Sequence, residues 1–378
     1  MIRVLQIVNS MDRGGIQTTL MNIFRNIDRT KVVLDFLLQT DKNCDYNKEI
    51  LALGGRIYSI TPRRKNLLRH KKDIEKFFNE HSEYNIVHMH VSSLTYIMPL
   101  KIAKKYKIPV RIIHSRNSKQ GGSKKSKIVH YLIHRINKLF IKNIATDYFS
   151  CSDLAGKWLY SNKILNSNKY KIINNGIDSE KFVFSESKRK QMREQLKCDN
   201  KICIVNVGRF HKQKNHIFLI KVFQEIYKQD HNSMLYLIGE GSLRQELENE
   251  IKWLKMQDNI ILLGKQKNVN DFLQAMDIFV MPSLYEGLPG SVIEAQGSGL
   301  PCLLSDTITK NVAITKLVNY MSLNSKPIEW ANTINLLLKN IKRRNTREEL
   351  IKSNFDIRDV AKEIEKFYIE KTKECENE

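Results

Sequence analysis

Two glutamates eight positions apart, Glu286 and Glu294, bracket the segment Gly287-Leu288-Pro289-Gly290-Ser291, where the chain concentrates its chemistry. Glu286 falls in a glycine-rich turn, the N–H groups of Gly287 to Ser291 face an anion at a helix start, and Glu294 lies further along that helix. Such a layout spans a sugar, a diphosphate and a ribose together. A loop acid and a helix acid that only favour the helix dipole are the competing reading, but glycine and proline on both sides argue for a shaped pocket.

Upstream, Gly208-Arg209-Phe210-His211-Lys212-Gln213-Lys214-Asn215 follows an apolar run, which puts Arg209 and Lys214 on the loop leaving a strand. Two cations there can neutralise a diphosphate leaving group, although a solvated basic loop is common in so basic a chain. Near the start, Asn9 to Thr18 contains Gly14 and Gly15, which let backbone N–H groups approach a phosphate at a helix N-terminus. A plain tight turn remains open, and the absence of G-x-G-x-x-G disfavours a dinucleotide dehydrogenase. His88 and His90 share one face of a strand and resemble a metal pair. With no third ligand nearby, a cleft-lining role without metal is expected.

These residues need elements to position them. Apolar runs at 4–9, 32–39, 86–91, 110–115 and 148–151 alternate with amphipathic stretches, and the pattern restarts at 202–207, 234–238, 260–263, 278–281 and 301–305. That alternation predicts α/β architecture with two Rossmann-like, doubly wound parallel sheets, and a ligand beyond the carboxyl ends of their strands. The expected division is a first domain over 1–178, a charged connector over 179–199, a second domain over 200–350, and a C-terminal helix over 351–378. The last residues, from Lys373, are expected to fray.

Taken together, Gly14-Gly15, His114 after a strand, Asn175-Gly176-Ile177-Asp178, Gly208-Arg209 with Lys214, Gly239-Glu240-Gly241 and the Glu286 to Glu294 block resemble the retaining nucleotide-sugar glycosyltransferases called glycosyl transferases group 1. The resemblance runs along nearly the whole chain and is similar in flavour to bacterial capsular and exopolysaccharide transferases. It implies a GT-B architecture, with two domains facing a cleft and a C-terminal helix crossing back to the first. By the resemblance, Glu286 contacts the donor sugar, Glu294 binds the ribose hydroxyls, and Arg209 and Lys214 hold the diphosphate. The Gly15 loop closes over the donor phosphates, and His114 lies near the reacting sugar. Gly239, Gly287, Leu288, Pro289 and Ser291 join the donor-binding set. The implied reaction retains anomeric configuration, needs no metal or other cofactor, and takes a UDP-sugar in preference to a GDP-sugar. An epimerase or phosphorylase of the same shape, and an inactive scaffold of a polysaccharide assembly complex, are the alternatives.

Composition bounds the partners. A formal charge of +23 over 378 residues favours polyanions, yet no zinc finger, RNP-like motif or basic zipper region is present, so no nucleic acid is expected. The six cysteines have no metal-ligand spacing and read as free, mostly buried thiols. The sequence offers no run of about 20 apolar residues, and its first residues read as a strand, not a signal peptide, which places the chain in the cytoplasm. Residues 124–142 set Ile128, Leu132, Ile136 and Leu139 on one helical stripe among many lysines. Such a helix either packs on the first domain or lies on anionic lipid. Basic clusters at 63–65, 69–72 and 101–107 favour a peripheral enzyme on the inner membrane face, acting on a polyprenyl-diphosphate-linked saccharide.

Overall fold

Strands with continuous apolar runs are buried on both faces, which requires a parallel sheet covered by helices. The computed structural model, which describes residues 1–118 and 124–376, builds two such sheets. The first part of the chain runs β1 (Ile2–Val8), α1 (Gly15–Asn26), β2 (Val32–Leu38), α2 (Asn47–Ala52), β3 (Ile57–Ser59), α3 (Leu67–Glu80), β4 (Ile86–Val91), α4 (Met98–Lys105), β5 (Val110–Ser115), α5 (Lys124–Phe140), β6 (Asp147–Ser150), α6 (Asp153–Leu159), α7 (Asn162–Leu165) and β7 (Tyr170–Ile172). The second runs α8 (Glu186–Leu196), β8 (Ile202–Val207), α9 (His216–Gln229), β9 (Ser233–Ile238), α10 (Arg244–Trp253), β10 (Ile260–Gly264), α11 (Val269–Ala275), β11 (Ile278–Met281), α12 (Gly290–Gly297), β12 (Cys302–Ser305), β13 (Val318–Met321), α13 (Pro327–Asn340) and α14 (Arg347–Lys352), and α15 (Ile357–Glu376) closes the chain.

The strand order is β3-β2-β1-β4-β5-β6-β7 in one sheet and β10-β9-β8-β11-β12-β13 in the other, with every pairing parallel. Order reverses between β1 and β4, and again between β8 and β11, and such switch points are where doubly wound sheets bind ligands. The strands that the apolar runs predict are all present. β3, β7 and β13 are additional, three or four residues long and only partly buried, and each sits at a sheet edge.

The chain forms two compact units, Met1–Gly176 with Asp356–Glu378, and Ile177–Phe355. Ile357, Val360, Ile364, Phe367 and Tyr368 of α15 join the same apolar cluster as residues of β1, β2 and α1. The tail expected to fray is instead helical through Glu376, and Cys375 packs against that cluster, while Asn377 and Glu378 lie outside the described residues. Residues 179–199, read from their charge as a connector, fall within the second unit. There α8 packs on α11, and Arg189 and Arg193 both pair with Asp277. The six cysteines are free, five of them buried. Among the described residues no helix is long and apolar enough to cross a membrane.

Candidate functional site

In the second unit, β8 delivers Gly208 and Arg209 to the β8/β11 switch point. A side chain at Gly208 would press on the stem of Lys214, its Cβ lying 3.0 Å from Cε, so the glycine lets the lysine run across the strand end. Lys214 Nζ reaches Glu286 Oε1 at 2.8 Å, with side chains 15% and 9% exposed, a charge-assisted contact held away from most of the solvent. The two loops are tied by backbone and amide bonds: Leu284 N–H donates to the Gln213 carbonyl at 2.8 Å, and Gln213 Nε2 donates to the Tyr285 carbonyl at 2.9 Å. Ser305 Oγ and Thr307 Oγ1 donate to the Ser283 carbonyl from below. Arg209 is exposed on the same loop.

Gly239 sits beneath this loop, with φ of +151°, and a Cβ there would lie 2.0 Å from the Gly208 carbonyl oxygen. Its glycine is thus demanded by the close approach of β8 and β9, which gives it a buttressing task for the loop that carries Arg209. The donor-binding role read for Gly239 from the sequence therefore has a packing explanation of its own.

Gly287, Leu288 and Pro289 are buried and lead into α12, whose first residue is Gly290. No side chain caps this helix and its first turn holds no acid, so its start is of the kind that receives an anion, with the Val292 N–H already donating to the Pro289 carbonyl at 3.1 Å. Ser291 stands in that first turn and is partly exposed. Glu294, one turn on, is also partly exposed yet enclosed by protein, and burial raises its carboxyl to about 7 against the opposing charge of Lys181.

In the first unit, Gly14 precedes α1 in extended conformation and Gly15 begins the helix, again without a side-chain cap or a first-turn acid. A Cβ at Gly15 would meet no heavy atom within 4 Å, and one at Gly14 would press on the flexible end of Gln17, with the Asp12 carbonyl oxygen at an ordinary contact distance of 3.9 Å. The packing of the chain does not by itself demand these glycines, which leaves access to the N–H groups as their physical use.

His114 lies near the end of β5, wholly buried, and it corrects the reading of His88 and His90. Register places Gln6 beside His88 and His90 beside His114, so strands β1, β4 and β5 present four polar side chains on one sheet face. The three imidazoles have ligand nitrogens within 4.8 Å of one another, a spacing that can hold a metal ion, so a third histidine is present after all. The pair is also buried, not lining an open surface. His88 Nε2 lies 3.1 Å from His114 Nδ1, His88 Nδ1 lies 2.6 Å from Tyr368 Oη, and His90 Nε2 lies 2.9 Å from Gln6 Oε1. Arg116 Nε donates to His90 Nδ1 at 3.1 Å, and its Nη1 donates to Asn175 Oδ1 at 2.9 Å. Burial and the Arg116 charge hold all three imidazoles well below their usual pKa, hence neutral. Burial lowers the guanidinium itself to about 10, which leaves it charged at neutral pH.

Gln6, Arg116, Gln213 and Tyr368 escaped the sequence reading. Arg116 carried a signal, lying two residues beyond His114 at a strand end. Tyr368 carried none, since only folding brings α15 to that sheet face.

Two doubly wound parallel sheets, each with polar side chains gathered at its switch point, form the fold of the GT-B glycosyltransferases. A structure of Anabaena HepE in complex with UDP-glucose superposes with a TM-score of 0.75 at 15% identity, over 97% of this chain and 99% of that one. The family model described as glycosyl transferases group 1 matches residues 187–356. A putative glycosyltransferase, EpsF, of Bacillus subtilis (strain 168) is 34% identical over 88% of this chain and 86% of its own length. The UDP-Gal:alpha-D-GlcNAc-diphosphoundecaprenol alpha-1,3-galactosyltransferase of Escherichia coli is 26% identical over 76% of each chain. The chain belongs to the glycosyl transferases group 1 family.

Proposed function

We propose that this glycosyltransferase moves a sugar from a UDP-sugar, with retention of configuration and without a metal ion, to a polyprenyl-diphosphate-linked saccharide in capsular or exopolysaccharide assembly. The observation that carries the reading is the Lys214–Glu286 pair beside the uncapped start of α12, which sets a cation, a carboxylate and helix N–H groups at one switch point. In this reading Arg209, Lys214 and the N–H groups of α12 offset the charge on the departing diphosphate. Glu286 holds the sugar, Glu294 accepts from the ribose hydroxyls, and the acceptor hydroxyl attacks from the face the diphosphate leaves.

The UDP-glucose bound by HepE and the UDP-galactose and diphosphoundecaprenol in the name of the E. coli relative support the donor and acceptor classes. Placement on the inner face of the membrane is supported by α5. Its Ile128, Leu132, Ile136 and Leu139 are 67, 55, 55 and 70% exposed among basic neighbours, so they are not packed on the first unit. The side chains of residues 124–127 lie outside the described residues. An apolar stripe bordered by cations suits an anionic lipid surface.

Transfer of radiolabelled sugar from UDP-sugars to polyprenyl-diphosphate saccharides, run with EDTA and followed by NMR of the product anomer, tests this reading. Retained configuration with full activity in EDTA is expected. Loss of activity in EDTA, or an inverted product, overturns the mechanism, and transfer to none of the acceptors overturns the acceptor class.

A further inference from the structure

Hydrogen-bond inventory gives the histidine cluster a direction. Arginine only donates, so His90 Nδ1 accepts from Arg116 Nε. A neutral ring with a bare Nδ1 carries its proton on Nε2, and that proton goes to Gln6 Oε1. The Gln6 amide is thereby oriented, and its Nε2 donates to Tyr368 Oη at 3.2 Å. Tyr368 has one other partner for its hydroxyl among the described residues, His88 Nδ1, and donates to it. His88 is then protonated on Nε2 and donates to His114 Nδ1. The last ring must hold its proton on Nε2, an atom that is buried and has no partner among the described residues. The ring of Phe149 meets both His88 and His114 edge to face, at 83° and 88°, and restrains their planes.

We propose that Arg116, His90, Gln6, Tyr368 and His88 form one directed hydrogen-bond chain that fixes His114 as an Nε2–H donor toward a ligand oxygen. The identity of that oxygen rests on the transferase reading, whereas the direction of the chain does not. His114 in this state cannot act as a general base, because its unshared nitrogen already bears the proton. Every Nδ1 of the cluster is spent as an acceptor, so a metal ion could bind only by dismantling the chain. Tyr368, Gln6 and His88 are positioning residues that act through His114.

Long-range 1H–15N NMR of ligand-free protein with 15N-labelled imidazoles reads the tautomers directly. The expected result is a bare Nδ1 and a protonated Nε2 on His88, His90 and His114 from pH 8 to pH 5.5, unmoved by excess zinc. A proton on Nδ1 of any of them, or zinc-induced shifts at all three, overturns the proposal. In Tyr368→Phe, which retains the ring and its packing, the signals of His88 and His114 should move toward the average of the two tautomers while His90 keeps its own. An unchanged His114 in that variant overturns the link through Tyr368. If that variant does not fold, the wild-type tautomers still decide the direction. With a turned-over donor, Tyr368→Phe should lower kcat roughly tenfold with little change in KM, the mark of a group used in the transition state. The expected tautomers in a protein that turns over no donor would overturn the transferase reading and leave the chain standing.

Discussion

Glu294 shows how burial and binding oppose one another at a single side chain. Its carboxyl, near 4.5 in an unfolded chain, stands at about 7 in the fold, so the folded state holds the proton more tightly. Stability from this group is therefore greatest below about 4.5, and falls as pH rises to about 7. Replacement by glutamine should raise the melting temperature of the ligand-free protein by a few degrees at pH 8, on the order of 2 kcal/mol, and change it little at pH 4.5. Donor binding should run the other way if Glu294 accepts from the ribose as proposed, weakening below pH 7 as its carboxylate is lost. Calorimetric titrations across pH 5.5 to 8.5 read this, and an affinity that ignores pH would remove Glu294 from the ribose. Lys214→Ala should cost about 2 kcal/mol by stranding Glu286 in little solvent. Adding Glu286→Gln should restore the stability without restoring transfer, and a double-mutant cycle in urea measures the coupling.

Elements set what these side chains can do. Gly239 holds β8 and β9 at a separation that a methyl group would violate, at a φ that side chains avoid. Gly239→Ala should lower stability by about 1–3 kcal/mol and weaken donor binding by moving Arg209, although residue 239 itself need touch no ligand. An unchanged donor Kd would detach this loop from the site. For α5, Leu132→Glu with Ile136→Glu should cut binding to anionic vesicles about tenfold without altering donor binding or the melting temperature, since both residues are already exposed. A fall in melting temperature would mean that the stripe packs on protein. The central strands were readable because a strand buried on both faces writes a continuous apolar run, as Val32 to Leu38 does. The edge strands β3, β7 and β13 were not readable, because three or four half-exposed residues write no pattern.

At the scale of the molecule, the charge of +23 has two separable uses. Attraction to anionic lipid through many surface lysines should collapse between 50 and 500 mM salt, whereas the enclosed Lys214 should hold a diphosphate with much weaker salt dependence. The candidate site was legible where it follows from one stretch of chain: Glu286, Glu294, Arg209 and Lys214 all leave strands of the second sheet at its switch point. It was illegible where distant segments meet. Nothing near Gln6 or His88 announces Tyr368, which belongs to a helix that returns to the first unit after the whole of the second. The third histidine was named for another reason, and only strand register put it beside the other two. Binding of a nucleotide sugar by Arg209 and Glu294 without metal is read by thermal-shift screening against UDP- and GDP-sugars in EDTA. A UDP-sugar should stabilise the protein, and Arg209→Ala and Glu294→Ala should each abolish the shift; a shift that survives both substitutions takes the donor away from these residues, and one that appears only when a divalent ion is added rules out metal-free binding.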